Sequence, residues 1–169
     1  VVSSNNTLVG SSAGSVITSG SSNTGVGKSA LSKCTTGFGH TAVGSDAGSG
    51  VNTSNNNTMI GFEAATSLQT GSNNVAVGRS AGAFTTASDN ITAISDCVFL
   101  GYLTKALTVS DSNSIVIGSS ALGEGSNTVV IGTSSTVQQH LYATRYIKTE
   151  GSLVFASSTP AAIVANQNN

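Results

Sequence analysis

The stretch Asn73-Asn74-Val75-Ala76-Val77-Gly78-Arg79-Ser80-Ala81-Gly82 decides the fold, because it recurs along the chain with its glycine in register. The glycine that follows an apolar residue falls at Gly10, Gly27, Gly44, Gly61, Gly78, Gly101, Gly118 and Gly132, in steps of 17, 17, 17, 17, 23, 17 and 14. Four identical steps in succession do not arise from glycine-rich composition alone. Each step therefore reads as one structural unit stacked on the last.

Alignment on those glycines gives each column a physical role. Immediately before the glycine stand Val9, Val26, Val43, Ile60, Val77, Leu100, Ile117 and Ile131, a largely β-branched column of the kind that suits a pleated strand facing a core. That face is expected to lie inside. Two residues earlier, on the same face, come Thr7, Thr24, Thr41 and Thr58, then Val75, Val98, Ile115 and Val129. Pointing the other way by the period of two are Leu8, Gly25, Ala42, Met59, Ala76, Phe99, Val116 and Val130. A coil of 17 residues has one interior, so a strand apolar on both faces needs a second cover. Another copy of the chain around a symmetry axis is the expected solution.

The remaining columns complete the coil. Ala13, Ala30, Ala47, Ala64 and Ala81, three residues after the glycine, mark a close approach, and Ile17, Cys34, Val51 and Leu68 form a second buried column, expected on a second short strand. Paired polar residues such as Asn5-Asn6, Asn56-Asn57 and Asn73-Asn74 suit turns, where their side chains bond nearby backbone. The eight glycines are expected to be the structural coil turns, in a conformation other residues resist. Each coil thus reads as strand, glycine turn, strand, Asn/Ser turn, and eight coils would stack to a rod of roughly 35 to 40 Å. The 23-residue step inserts six residues around Phe84–Thr92. Insertions in solenoids emerge as surface loops and often map to the binding face, so Phe84, Thr85, Thr86, Ser88, Asp89, Asn90 and Thr92 are the candidate binding residues.

Composition narrows the function. The 169 residues carry Lys+Arg 6 and Asp+Glu 7, with no Trp and one Pro. That balance argues against nucleic acid, which needs clustered cations to replace phosphate counterions. No apolar run approaches the roughly 18 residues that span a bilayer, so membrane insertion is not expected. The chain begins Val1-Val2-Ser3 without Met, as expected of a processed product or an excised segment. Cys34 shares a column with Ile17 and Val51 and reads as a small buried hydrophobe. It lies three to four coils from Cys97, too far for a disulfide. His40 stands in an Asn column and reads as a turn residue, and His140 is isolated. No recurring Ser/His/acid set, metal-ligand spacing or phosphate-cradling loop is present. No catalytic residue, metal or cofactor is expected, and the chain is not expected to be an enzyme. The ranked threonines raise one rival, an ice-binding solenoid, against which stands their expected interior position.

The motifs Asn113-Ser114-Ile115-Val116-Ile117-Gly118 and Asn127-Thr128-Val129-Val130-Ile131-Gly132 resemble the head repeats of trimeric autotransporter adhesins, also called haemagglutinin-type repeats. The 17-residue coils look similar to related repeats in phage and viral tail fibres. The resemblance covers about residues 5 to 135. It implies an all-β, left-handed parallel β-roll assembled as a homotrimer, with Leu8, Ala42, Met59, Ala76, Phe99, Val116 and Val130 facing the trimer. Residues 1–135 are expected to form the repeat domain, and 136–169 to add two short non-repeat strands and a tail. The function that follows is a structural fibre or spike segment on a virion surface, in contact with other fibre components and with a cell-surface glycan or protein receptor. A bacterial surface adhesin head is the alternative, and a purely structural spacer is a third reading.

Overall fold

A three-residue strand forms before every repeat glycine: β1 Thr7–Val9, β2 Thr24–Val26, β3 Thr41–Val43, β4 Thr58–Ile60, β5 Val75–Val77, β6 Val98–Leu100, β7 Ile115–Ile117 and β8 Val129–Ile131. The structure, a computed structural model, describes residues 4–133, which belong to a unit spanning Val1–Thr136. The strands expected beyond residue 136, and His140, lie outside the described residues. The eight strands make one parallel sheet in the order β1-β2-β3-β4-β5-β6-β7-β8. Register is strict: Thr7 opposes Thr24, which opposes Thr41, which opposes Thr58. The fold is all-β, a β-solenoid of about seven turns with the 17-residue period read from the glycines.

Two expectations are corrected. The residue at the centre of each strand points into the coil, not toward a neighbouring chain. Ala42, Met59, Phe99 and Val116 are fully buried and Ala76 nearly so, while Leu8 and Val130 in the end coils are half-buried. None of the seven residues assigned to a trimer face is on the outside of the sheet. The flanking column expected inside is the outer one, with Val9 57% and Ile131 55% exposed at the ends and Val26, Val43 and Ile60 between 36% and 39%. The reason is volume. The lumen of so short a coil takes one large side chain only where its neighbours are small, so Met59 sits between Ala42 and Ala76, and a Cβ added to Gly48 would lie 2.6 Å from the Met59 sulfur. The β-branched column is uniform because it builds a flat outer face and fills nothing. The second correction is that each coil has one strand, not two. Ile17, Cys34, Val51 and Leu68 do form a column inside the coil, wholly buried from Cys34 onward and continued by Ile91. Their segment curls through left-handed residues such as Leu31 (φ 54) and Ala65 (φ 45) and joins the next coil by single bonds such as Thr35 N–H to the Asn52 carbonyl, 3.1 Å.

The buried polar column holds coil to coil. Asn6 donates from Nδ2 to the Gly20 carbonyl within its own coil (2.9 Å) and accepts at Oδ1 from the N–H of Asn23 in the next (2.9 Å). Asn23 repeats both bonds, to Gly37 at 2.9 Å and from His40 at 3.0 Å. Asn57 and Asn74 repeat them again with Gly71, Ile94, Asn74 and Cys97. Asn23, Asn57 and Asn74 are buried and Asn6, in the end coil, is half-buried, so in the inner coils each bond pairs backbone groups that have little access to water. They were expected to bond within their turns. They also reach across to the neighbouring coil, which a reading of one coil at a time does not reveal.

His40, 1% exposed, takes over the asparagine pattern with a different chemical group. Its Nδ1 accepts from the Asn57 N–H at 3.2 Å and its Nε2 lies 2.8 Å from the Ser54 carbonyl. Those partners fix the neutral Nε2–H tautomer. Protonation would set an Nδ1 donor against the Asn57 donor. Burial, opposed by the bonds to Ser54 and Asn57, lowers the His40 pKa from its ordinary 6.5. The folded chain thus binds this proton less readily than the unfolded one, so stability is full above about pH 6.5 and falls as pH drops below it.

Seven repeat glycines, Gly10 through Gly118, have φ between 123 and 138°, and their backbone lies against the next coil. A Cβ on Gly61 would meet the Gly78 carbonyl oxygen at 2.6 Å and its carbon at 2.7 Å. Backbone cannot rotate away, so Gly61→Ala is expected to destabilise by about 3 kcal/mol, read as a lowered midpoint in chemical denaturation. His40→Asn, which restores the asparagine pattern, should melt close to the parent at pH 7.5 and lose less stability than the parent between pH 6.5 and 5. Equal acid sensitivity of the two would show that His40 does not set it.

Candidate functional surfaces

The outer face of the sheet is built from the flanking strand positions. Thr7, Thr24, Thr41 and Thr58 occupy one rank of its first half, Val75, Val98, Ile115 and Val129 continue that rank, and the Val/Ile/Leu column runs beside it. Every one of these side chains is exposed or half-exposed. No charged residue stands in any of the eight strands. The threonine rank therefore faces outward, contrary to the interior position expected for it.

The insertion is a closed hairpin. Phe84 bridges Asn90 in antiparallel fashion, Ser88 N–H donates to the Thr85 carbonyl at 2.9 Å, and Asp89 N–H donates to Thr85 Oγ1 at 3.1 Å. Thr85 is buried and pairs with Ala106 of the next coil, so it is removed from the candidate binding set. Phe84, Thr86 and Thr92 are half-buried, which leaves Ser88, Asp89 and Asn90 as the exposed tip. Ile91 belongs to the core.

Beside the hairpin, Asn90 and Thr92 join Lys33, Asn52, Thr66 and Gln69 around a polar groove of about 410 Å³. Lys33, Asn52 and Gln69 escaped the sequence reading. The column Thr35, Asn52, Gln69 is one coil apart at each step, and that spacing was the available signal. On the other side, Thr86 lines a more apolar groove with Leu107, Leu122 and Val130.

Neither cysteine contributes chemistry to these surfaces. Cys34 and Cys97 are buried free thiols, and burial pushes the Cys34 pKa up. Cys97 replaces the ladder asparagine, its sulfur 3.6 Å from the Asp111 carbonyl. Among the described residues no three His, Cys, Asp or Glu side chains are grouped to hold a metal ion. No helix among them is long and apolar enough to cross a membrane.

Deleting residues 85–90 removes the six extra residues and restores the 17-residue step while keeping Ile91. This variant is expected to fold cooperatively, with a melting temperature within a few degrees of the parent. Deleting 84–92 also removes the buried Ile91 and should cost about 2–5 kcal/mol more. Calorimetry of the two variants checks this. No family model, curated protein or solved structure matches the chain, so its function is read from the chemistry of its own surfaces.

Proposed function

We propose that this chain is a non-enzymatic segment of a viral or phage fibre, in which three copies associate through the outer sheet faces and the coil edges contact a host surface. The observation that carries the reading is the uncharged Thr/Val/Ile face. A repeated uncharged face carrying exposed or half-exposed Val, Ile or Leu in every layer marks an interaction site. Around a threefold axis parallel to the stack, the face turned toward the axis in one copy packs against that of its neighbours in every layer, and a strand register repeated over eight coils supplies a regular surface for that. The number three, and a left-handed coil, come from the likeness to autotransporter head repeats and tail-fibre repeats. A bacterial adhesin head would use the same assembly.

Sedimentation equilibrium is expected to give three times the 16.6 kDa chain mass. Val43→Lys, which places a charge in the outer face without touching the lumen, should shift the species to one chain mass while preserving the β circular dichroism. A parent that stays a monomer at micromolar concentration would end the reading.

One observation favours a second function. The outward rank Thr7, Thr24, Thr41 and Thr58 holds strict register down the sheet, an arrangement able to order water on a flat face, as an ice-binding surface requires. Thermal hysteresis in the parent, lost on Thr41→Lys, would support it. Absence of hysteresis would remove it.

A further inference from the structure

The residue after each repeat glycine forms its own column at the edge of the coils: Ser11, Lys28, Ser45, Phe62, Arg79, Tyr102, Ser119 and Thr133. At its centre the Arg79 guanidinium carbon lies 5.7 Å from the centroid of the Phe62 ring and 5.6 Å from that of Tyr102. Both rings remain exposed, Phe62 by 44% and Tyr102 by 43%. The cation is thus flanked by one aromatic ring from the coil before and one from the coil after.

This packing constrains what Arg79 can still bind. A guanidinium over an aromatic ring is attracted by the ring's π face, and its N–H donors form a planar fork that matches a carboxylate. Among the described residues no acceptor takes a hydrogen bond from that side chain. The Glu63 carboxylate, one coil back, accepts from Ser80 Oγ at 3.2 Å. A guanidinium set between two rings, with no acceptor of its own among the described residues, has its donors available for two parallel hydrogen bonds to a carboxylate. Ser45 and Ser119, one coil beyond each ring, are small and leave room beside the aromatics. The stripe therefore offers a cation between two exposed aromatic rings over about two coil steps or ~10 Å, with Ser45 and Ser119 one further step out at either end.

We infer that Phe62, Arg79 and Tyr102 form a binding site for a carboxylate-bearing saccharide. The guanidinium edge takes the sugar carboxylate, and a ring takes the C–H face of the pyranose or of its neighbour. The inference deepens the attachment reading and rests on it, placing recognition on the coil edge instead of the inserted hairpin.

Isothermal titration of the full chain with 3′-sialyllactose and with a galacturonate oligomer, each beside its carboxyl-reduced form, tests it. At least one acidic sugar is expected to bind, with its reduced form at least tenfold weaker. Arg79→Ala should weaken the acidic sugar at least tenfold, Arg79→Lys should recover only part of the loss because the fork is gone, and Phe62→Leu should weaken binding without changing the sedimenting mass. Three results would overturn the site: no binding of either acidic sugar, equal binding by the parent and Arg79→Ala, or dissociation of the assembly by Arg79→Ala, which would place the guanidinium against a carboxylate of a second copy. Host-cell attachment measured in parallel separates the two layers. Attachment that survives Arg79→Ala removes this site alone, and a parent that attaches to no host surface removes the reading beneath it.

Discussion

The solenoid depends on a hydrogen bond that no single coil can make. An asparagine side chain, buried in all but the first coil, bonds a carbonyl of its own coil through Nδ2 and receives the N–H of the next coil at Oδ1, from Asn6 to Asn23 and from Asn57 to Asn74. The strands are only three residues long, too short to hold a parallel sheet by ladder bonds alone. Asparagine supplies donor and acceptor from one rigid amide, at the residue where the backbone turns into the strand. The buried, water-free setting makes those bonds matter, because a lost partner leaves a backbone group with nothing else to bond.

His40 and Cys97 show how far that constraint can be relaxed. The imidazole reproduces both amide functions in its neutral form, at the cost of a proton equilibrium that an amide does not have. The thiol of Cys97 keeps a weak donor near the Asp111 carbonyl at 3.6 Å and receives Ser114 Oγ at 3.3 Å. The column tolerates any compact group able to act as both donor and acceptor. The glycine column tolerates nothing beyond hydrogen, since its limit is backbone against backbone.

Much of the architecture was legible in the sequence. The glycine spacing set the period, the parallel order and register of the strands before each glycine, and the place of the insertion, because a stacked coil repeats its backbone and glycine reports backbone directly; the second strand expected in each coil is absent from the described residues. The direction of the faces was not legible by the same means. Alternation says that Val43 and Ala42 point opposite ways and leaves open which way is in. Uniform β-branching suggested a core, whereas the lumen is filled by an uneven set, Met59 between two alanines and Phe99 between Ala76 and Val116. Unevenness is what a narrow lumen requires, and it is the better sign of the interior in so small a coil. At the candidate sites, the insertion was visible but Thr85 was wrongly counted as accessible, because its pairing with Ala106 depends on the next coil. The polar groove and the Phe62–Arg79–Tyr102 stack both join residues from successive coils, and they emerge only when columns are read down the stack.

Every strand touches only the strands before and after it, and the bonds that join them are nearly the same at each junction. Duplication or loss of one 17-residue block in the gene would consequently leave all other junctions unchanged. The length of the solenoid can drift across generations in whole-unit increments, independently of the side chains displayed on any one layer.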